Sequence, residues 1–223
     1  MPKIADNSAG GEVWVTGGKW GALEGQMLHL SYGHCSMLLV LRETVDGQAQ
    51  GGVVPLPGRF LSGVMRGVFN PHDGQLYVSG LRGWQTSAAR DGCFQRVRCR
   101  PEKVQLPVGL TAHTNGLRVT FSQPLERTSA EDVGSFALER WNYLWAAQYG
   151  SKDWSLANPQ KEGRDPVEVA AAKLSDDGRS VWLQIPDLKP AMQLQLRYNV
   201  KTAAGQPVRG EVYHTIHHLG TAQ

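Results

Sequence analysis

The stretch that decides the fold runs from Val167 to Val208 and reads VEVAAAKLSDDGRSVWLQIPDLKPAMQLQLRYNVKTAAGQPV. Within it, Asp176-Asp177-Gly178 separates two apolar runs, a pattern typical of a β-hairpin whose glycine takes a positive φ. From Leu194 to Val200, apolar and polar residues then alternate, as in a strand with one buried face and one wet face. The stretch therefore predicts three strands, two turns and an antiparallel β domain.

The first half of the chain is rich in glycine and divides into short apolar runs. We predict strands at Glu12–Thr16, Met27–Tyr32, Ser36–Glu43, Gly51–Leu56, Gly63–Phe69, Gln75–Ser79 and Phe94–Cys99. Their spacing of about 8 to 12 residues is typical of an all-β sandwich, barrel or propeller. We interpret Pro101–Pro107 as a linker and place a domain boundary near residue 106. We therefore predict a Gly-rich β domain at 12–106 and a β-sandwich at 107–219, and we expect residues 1–11 to be disordered.

Composition and charge exclude several classes of protein. The chain has 23 Lys and Arg against 20 Asp and Glu, and these charges are scattered, so we expect no nucleic-acid partner. No apolar run approaches the roughly 20 residues of a membrane helix, and the N-terminus lacks the apolar core of a secretion signal. The three cysteines form no CxxCH motif, so we expect no covalent haem and interpret them as small buried thiols.

Both halves resemble known bacterial domains. Residues 107–213, with the motifs Ser129–Phe136, Leu188-Lys189-Pro190 and Ala203-Ala204-Gly205, resemble the Ig-like sandwich domains of secreted multidomain proteins. In the first half, the motifs are Gly17–Gly21, Leu28–Gly33, Phe69–Val78 and Gly80–Thr86. They are similar to the closing propeller blades of large exported proteins of planctomycetes and verrucomicrobia. In those proteins, a propeller similar to that of sugar dehydrogenases accompanies a sandwich and often a c-type haem domain.

This resemblance implies an all-β chain in which a propeller-blade-like or barrel-like domain precedes an Ig-like sandwich. It also implies a periplasmic or extracellular location. About 95 residues supply only one or two four-stranded blades, which cannot close a propeller. We therefore expect the first half to form a small barrel or sandwich, to pack against other domains, or to cover its sheet edges by self-association.

Histidines supply one set of candidate site residues. His214, His217 and His218 would share a face on a helix, where they could ligate a divalent metal. The preceding sequence predicts a strand instead, on which His214 and His218 would lie roughly 13 Å apart. A metal site therefore requires an early end to the strand, or His113 from a neighbouring strand.

Weak candidates for catalysis are His29, His34 and Asp153. The two histidines flank a predicted bend beside Cys35 and Ser36, where a nucleophile and base pair is conceivable. Asp153 lies in a polar insertion whose carboxylates could act as acid and base or bind a hard cation. No motif around these residues orients a base, so loop packing is the competing interpretation.

Aromatic and basic residues supply the candidate ligand-binding set. Trp141, Tyr143 and Trp145 alternate as on one strand face and, with Trp154, could stack on sugar rings. The competing interpretation is that these rings fill the sandwich core. Arg82 and Trp84 lie in a Gly-rich loop that the propeller resemblance places near a ligand-facing surface.

Our leading hypothesis is a non-catalytic accessory module of an exported multidomain protein that binds a saccharide or packs against other domains. The alternative is a small metal-assisted hydrolase of an ester, lactone or glycoside, with its site near the domain junction. An oxidoreductase related to the dehydrogenase-like propeller would need a quinone, for which the sequence has no complete site.

Overall fold

A computed structural model describes residues 1–147 and 150–223 and shows an all-β chain of antiparallel sheets, none of them closed. The described helices are short: α1 at Arg127–Ala130 and 3-10 turns at Gly21–Leu23, Pro101–Lys103 and Val133–Ser135. None of them is long and apolar enough to cross a membrane. The chain divides into two compact units, which we call the N-terminal unit (residues 2–41 and 53–104) and the C-terminal unit (residues 1, 42–52 and 105–223).

The strands of the N-terminal unit belong to two antiparallel sheets. One has the order β1 (Ala9–Trp14), β2 (Met27–Ser31), β3 (Ser36–Val45) and β4 (Gln48–Pro55). The other has the order β5 (Gly63–Phe69), β6 (Leu76–Leu81) and β7 (Gly92–Val97). The predicted strands of this half are confirmed, with ends that differ by a few residues.

Strand β1 begins earlier than the sequence predicts and packs closely on β5. It starts at Ala9, inside the segment that we expected to be disordered. A Cβ on Gly10 would come within 1.8 Å of the Val64 carbonyl oxygen, so only glycine allows the two backbones to approach this closely. Beneath this contact lies an apolar core that includes Leu28, Leu30, Leu39, Val64, Leu76 and Val78.

Turns that contain an Asp-Gly pair join the strands of two hairpins. Asp46 and Gly47 join β3 to β4 with φ values of 49° and 78°, the positive values that a primed turn requires. Gly178 takes a φ of 71° in the hairpin between Leu174 and Ser180. The hairpin formed by β3 and β4 contributes residues to both units, because residues 42–52 group with the C-terminal unit.

The C-terminal unit also contains two antiparallel sheets. In the first, β4 is followed by β15 (Pro207–Ile216), β14 (Ala191–Lys201), β10 (Phe136–Trp141) and β11 (Asp165–Val167). The second has the order β12 (Ala171–Leu174), β13 (Ser180–Gln184), β9 (Gly116–Phe121) and β8 (Pro107–His113). Phe121 of one sheet meets Tyr198 of the other edge to face, with ring centroids 5.5 Å apart. The apolar residues from Leu194 to Val200 are buried in this core, as predicted.

Two expectations about this unit need correction. Gln193 and Gln195 of β14, which we expected on a solvent-exposed face, are 4% and 6% exposed. Gln195 bonds Arg164, Glu211 and Tyr213 there. Strand β10 ends at Trp141, so Tyr143 and Trp145 do not continue its alternation. Trp141 is in the core, whereas the two later rings lie in a loop.

Candidate functional site

His29 is held between two carboxylates in the N-terminal unit. Its Nε2 lies 2.7 Å from Asp6 Oδ2 and its Nδ1 lies 3.0 Å from Glu12 Oε1. Ser31 donates to the other Asp6 oxygen at 2.6 Å. Burial alone would lower the pKa of His29, but the hydrogen bonds to Asp6 and Glu12 outweigh it and raise that pKa. The arrangement is therefore a buried ion pair that favours the imidazolium form.

This cluster does not present a nucleophile to a substrate. Ser31 is fully buried and its hydroxyl donates to Asp6 rather than to His29. Both imidazole nitrogens of His29 are occupied by carboxylates, so neither is available to take a proton from Ser31. We interpret the cluster as a structural tie between the N-terminal segment and β2.

The other two candidates for catalysis also make internal contacts. His34 bonds the Lys3 carbonyl through its Nε2 at 3.2 Å and donates its backbone N–H to Ser31. Asp153 accepts from Arg164 Nε at 2.7 Å. The structure does not place these carboxylate and imidazole groups in an acid and base pair.

The four candidate metal ligands do not form a metal-binding group. His214 is 1% exposed, and neither of its ring nitrogens has a hydrogen-bond partner among the described residues. His113 bonds Thr221 and Thr111, while His217 and His218 donate their backbone N–H groups to Gln50. Across residues 1–147 and 150–223, no three His, Cys, Asp or Glu side chains are grouped as metal ligands.

Trp141 is not available as a platform for sugar rings. It is 1% exposed, and the Arg164 guanidinium lies 3.9 Å above its ring. Arg164 is itself fixed by Asp153 and Gln195. The core interpretation of this tryptophan is therefore correct, and a cation closes its one approachable face.

The aromatic residues that follow Trp141 in the sequence differ in exposure. Trp145 is fully exposed and Tyr143 is 48% exposed. Trp154 is partly buried and exchanges backbone hydrogen bonds with Asn142. Tyr149, which belongs to the same aromatic segment, lies outside the described residues. Trp145 and Tyr143 thus remain open to a ligand, on a loop rather than on a strand.

A second exposed aromatic surface lies on the three-stranded sheet of the N-terminal unit. One face of β5, β6 and β7 is buried through Val64, Leu76 and Val78. The opposite face, which we call the outer face, consists of Arg66, Val68, Tyr77, Ser79, Leu81, Phe94 and Arg96. Strand register places Val68, Tyr77 and Arg96 in one row across the sheet, and Arg66, Ser79 and Phe94 in the next.

The outer face is unusually apolar for an exposed sheet. Phe94 is 74% exposed, Val68 63% and Leu81 47%. Tyr77 and Phe94 stack diagonally, with centroids 5.7 Å apart and ring planes 28° apart. Exposed aromatic groups on a rigid sheet, beside guanidinium groups, indicate a binding surface.

A hydrogen bond fixes Tyr77, one member of the aromatic pair. The Tyr77 hydroxyl donates to Asp73 Oδ2 at 2.7 Å, and the other Asp73 oxygen accepts from the Gln75 N–H. The hydrogen bond from Tyr77 lowers the pKa of Asp73, so this carboxylate stays charged and also lies 3.7 Å from Arg96. Tyr77 therefore has little freedom to lose when a ligand binds.

Arg82 and Trp84, both predicted as ligand contacts, follow β6 directly. The Arg82 N–H donates to the Asp91 carbonyl at 2.8 Å, which holds the two ends of the 82–91 loop together. Trp84 is 73% exposed, and the Arg82 guanidinium forms only a loose pair of 3.9 Å with the exposed Asp91. The loop thus adds an exposed ring and a cation at the end of β6.

Sequence reasoning missed Tyr77, Phe94, Arg66 and Arg96 as candidate ligand contacts. The available signal was the run Phe94-Gln95-Arg96-Val97-Arg98, in which an aromatic residue alternates in phase with arginines instead of with apolar residues. Such a residue faces the wet side of a strand. The chain matches no family model, no curated protein and no solved structure.

Proposed function

We propose that this chain is a non-catalytic accessory module of an exported multidomain protein and that it binds a saccharide on the outer face. The observation that carries the proposal is the Tyr77 and Phe94 pair, stacked and exposed on a sheet that does not need these rings for its core. The Arg82 and Trp84 loop extends the same surface.

Saccharide recognition fits the chemistry of this surface. Sugar rings present an apolar C–H face to an aromatic ring and hydroxyl groups to polar side chains. Phe94 offers its uncovered ring face, while Ser79, Arg66 and Arg96 offer polar groups in the two neighbouring rows. Because rigid strands position all of these side chains, binding orders few groups.

The proposal extends to the fold. We infer that the C-terminal unit is an Ig-like sandwich, supported by its two antiparallel sheets and the Phe121 to Tyr198 contact between them. We also infer that the strands β1 to β4 and the three-stranded sheet of β5 to β7 are propeller-blade-like. An open β7 edge and an apolar outer face suit a unit that works beside other domains or a second copy.

Affinity electrophoresis against a panel of neutral and acidic polysaccharides tests the proposed function. We expect retention of the native chain by at least one polymer, and about a tenfold loss of affinity in Phe94→Ala. Phe94 is 74% exposed, so the substitution should leave the melting temperature nearly unchanged.

Trp145→Ala is the matched control, since it removes an equally exposed ring from the other candidate surface. Unchanged retention of Trp145→Ala together with weaker retention of Phe94→Ala would support the outer face as the binding site. The reverse pattern would move the site to the 143–154 loop. Absence of retention on every polymer of the panel would overturn saccharide binding itself.

A further inference from the structure

The exposed basic residues of the N-terminal unit are concentrated near β7. From Arg59 to Lys103 the chain has eight Lys and Arg but only three Asp and Glu. Phe94, Arg96, Arg98 and Arg100 are exposed, whereas Cys93, Gln95, Val97 and Cys99 between them are partly buried. An aromatic ring and three guanidinium groups therefore follow one another on one side of this segment.

The segment is extended enough to make the row regular. Residues 92–97 form β7, and Arg100 has an extended backbone with φ −119° and ψ 89°. Alternate residues of an extended chain are about 6.7 Å apart. Arginines at alternate positions of this segment suit a linear polymer with repeated negative charges.

These cations are poorly neutralised by the protein itself. Among residues 1–147 and 150–223, Arg98 and Arg100 form no ion pair. Arg96 forms one with Asp73. That carboxylate also accepts hydrogen bonds from the Tyr77 hydroxyl and the Gln75 N–H. Within the described residues, Arg66 bonds the Gly10 and Met65 carbonyls and forms no ion pair. A guanidinium in such surroundings keeps its capacity for a bidentate bond to a carboxylate or sulfate.

We propose that the ligand of the outer face is an acidic polysaccharide, whose carboxylate or sulfate groups pair with Arg96, Arg98 and Arg100 while one sugar ring stacks on Phe94. This inference rests on the proposed saccharide function and names its substrate class. Tyr77 and Phe94 stack on each other, so the outer face offers one aromatic pair rather than a row of separate rings. Single-stranded nucleic acids bind through several rings that each stack a base, so the sugar polymer is the better fit.

Polygalacturonate and its fully methyl-esterified form make a matched pair of probes, because they share a backbone and differ in charge. We expect the native chain to bind polygalacturonate at least about tenfold more tightly than the ester at low salt, with the difference shrinking as salt rises. Arg98→Gln/Arg100→Gln should lose about tenfold for the acidic polymer only. Lys201→Gln/Arg209→Gln removes the same charge from exposed positions of the C-terminal unit and should change neither affinity.

The outcomes separate this inference from the proposed function. Equal affinity for the acid and the ester, lost in Phe94→Ala, would keep saccharide binding and overturn the acidic ligand. Binding of polyglutamate or polyuridylate as tight as that of polygalacturonate would also overturn it, since it would show a general attraction of polyanions. Absence of binding to either polymer and to a panel of sulfated glycans would overturn both.

Discussion

His29 is the residue whose charge matters most to the N-terminal unit. Its two ring nitrogens face Asp6 and Glu12, and both can donate only in the imidazolium form. Its pKa is raised in the folded chain, so the contribution of this group to stability is present below the unfolded pKa of about 6.5 and is lost as pH rises through the folded pKa. Asp6, whose pKa is lowered by the bonds from His29, Ser31 and Ser8 against the effect of burial, loses its contribution only in acid.

We therefore predict that His29→Gln removes a pH dependence as well as stability. The native chain should lose free energy of unfolding as pH rises from about 6.5 through the raised pKa of His29, and the variant should show a flatter profile over this range. Urea unfolding at a series of pH values measures both. His34→Gln is the matched control, because the pKa of His29 does not depend on that residue. Parallel slopes in the native chain and His29→Gln would contradict the prediction.

At the scale of elements, a buried amide fixes the tip of the β3 and β4 hairpin within the C-terminal unit. Gln50, 8% exposed, accepts from the His217 and His218 N–H groups, each at 2.9 Å, and donates to Glu43 at 2.7 Å. Glu43 in turn accepts from the Ala112 N–H at 3.0 Å. The Gln50 side chain thus accepts hydrogen bonds from the backbone just after β15. It also donates to the Glu43 carboxylate, which accepts from the backbone of β8.

Gln50→Ala should lower the free energy of unfolding by about 1 to 3 kcal/mol, because it removes the shared acceptor of two part-buried N–H groups and the donor to Glu43. Gln48→Ala offers the control: Gln48 is exposed, and its side chain donates to the neighbouring Ala49 carbonyl. Its effect should stay within about 0.5 kcal/mol. Chemical denaturation of the two variants checks the difference, and similar losses in both would argue against a special role for the Gln50 amide.

The elements themselves could be predicted from sequence because their signals are local. The Asp176-Asp177-Gly178 turn and the alternation from Leu194 to Val200 sufficed to place the strands around them. The site could not be predicted in the same way, because residues far away in sequence decide whether an aromatic side chain is buried or exposed. Trp141 is covered by Arg164, while Phe94 is left open by the register of three strands. Gln50 and its histidine partners are more than 160 residues apart in sequence.

At the scale of the whole molecule, two buried histidines respond to pH in opposite ways. His29 lies in the N-terminal unit and is stabilised as a cation. His214 lies in the C-terminal unit, where burial lowers its pKa to about 3 and keeps it neutral. A base whose folded pKa is depressed contributes stability above its unfolded pKa of about 6.5, and this contribution is lost as pH falls below that value.

We predict that the two units lose protection on opposite sides of neutrality. As the pH falls from about 6.5 to about 5, the C-terminal unit should become less stable. His214 takes up a proton in the unfolded form, whereas in the folded form it stays neutral. Above about pH 6.5 the N-terminal unit should weaken as His29 loses its proton. The acidic window lies above the range in which carboxylates titrate, at about pH 4, so it isolates the histidine.

Hydrogen exchange measured on peptides from β2 and β15, corrected for the intrinsic effect of pH, distinguishes the two responses. In His214→Leu the acid-side loss in β15 peptides should disappear, and stability should rise because a buried group without partners is removed. In His29→Gln the loss of protection in β2 peptides at alkaline pH should disappear, while β15 peptides should still lose protection as the pH falls below about 6.5. Equal loss of protection in both strands at every pH would instead mean that the two units open as one cooperative body.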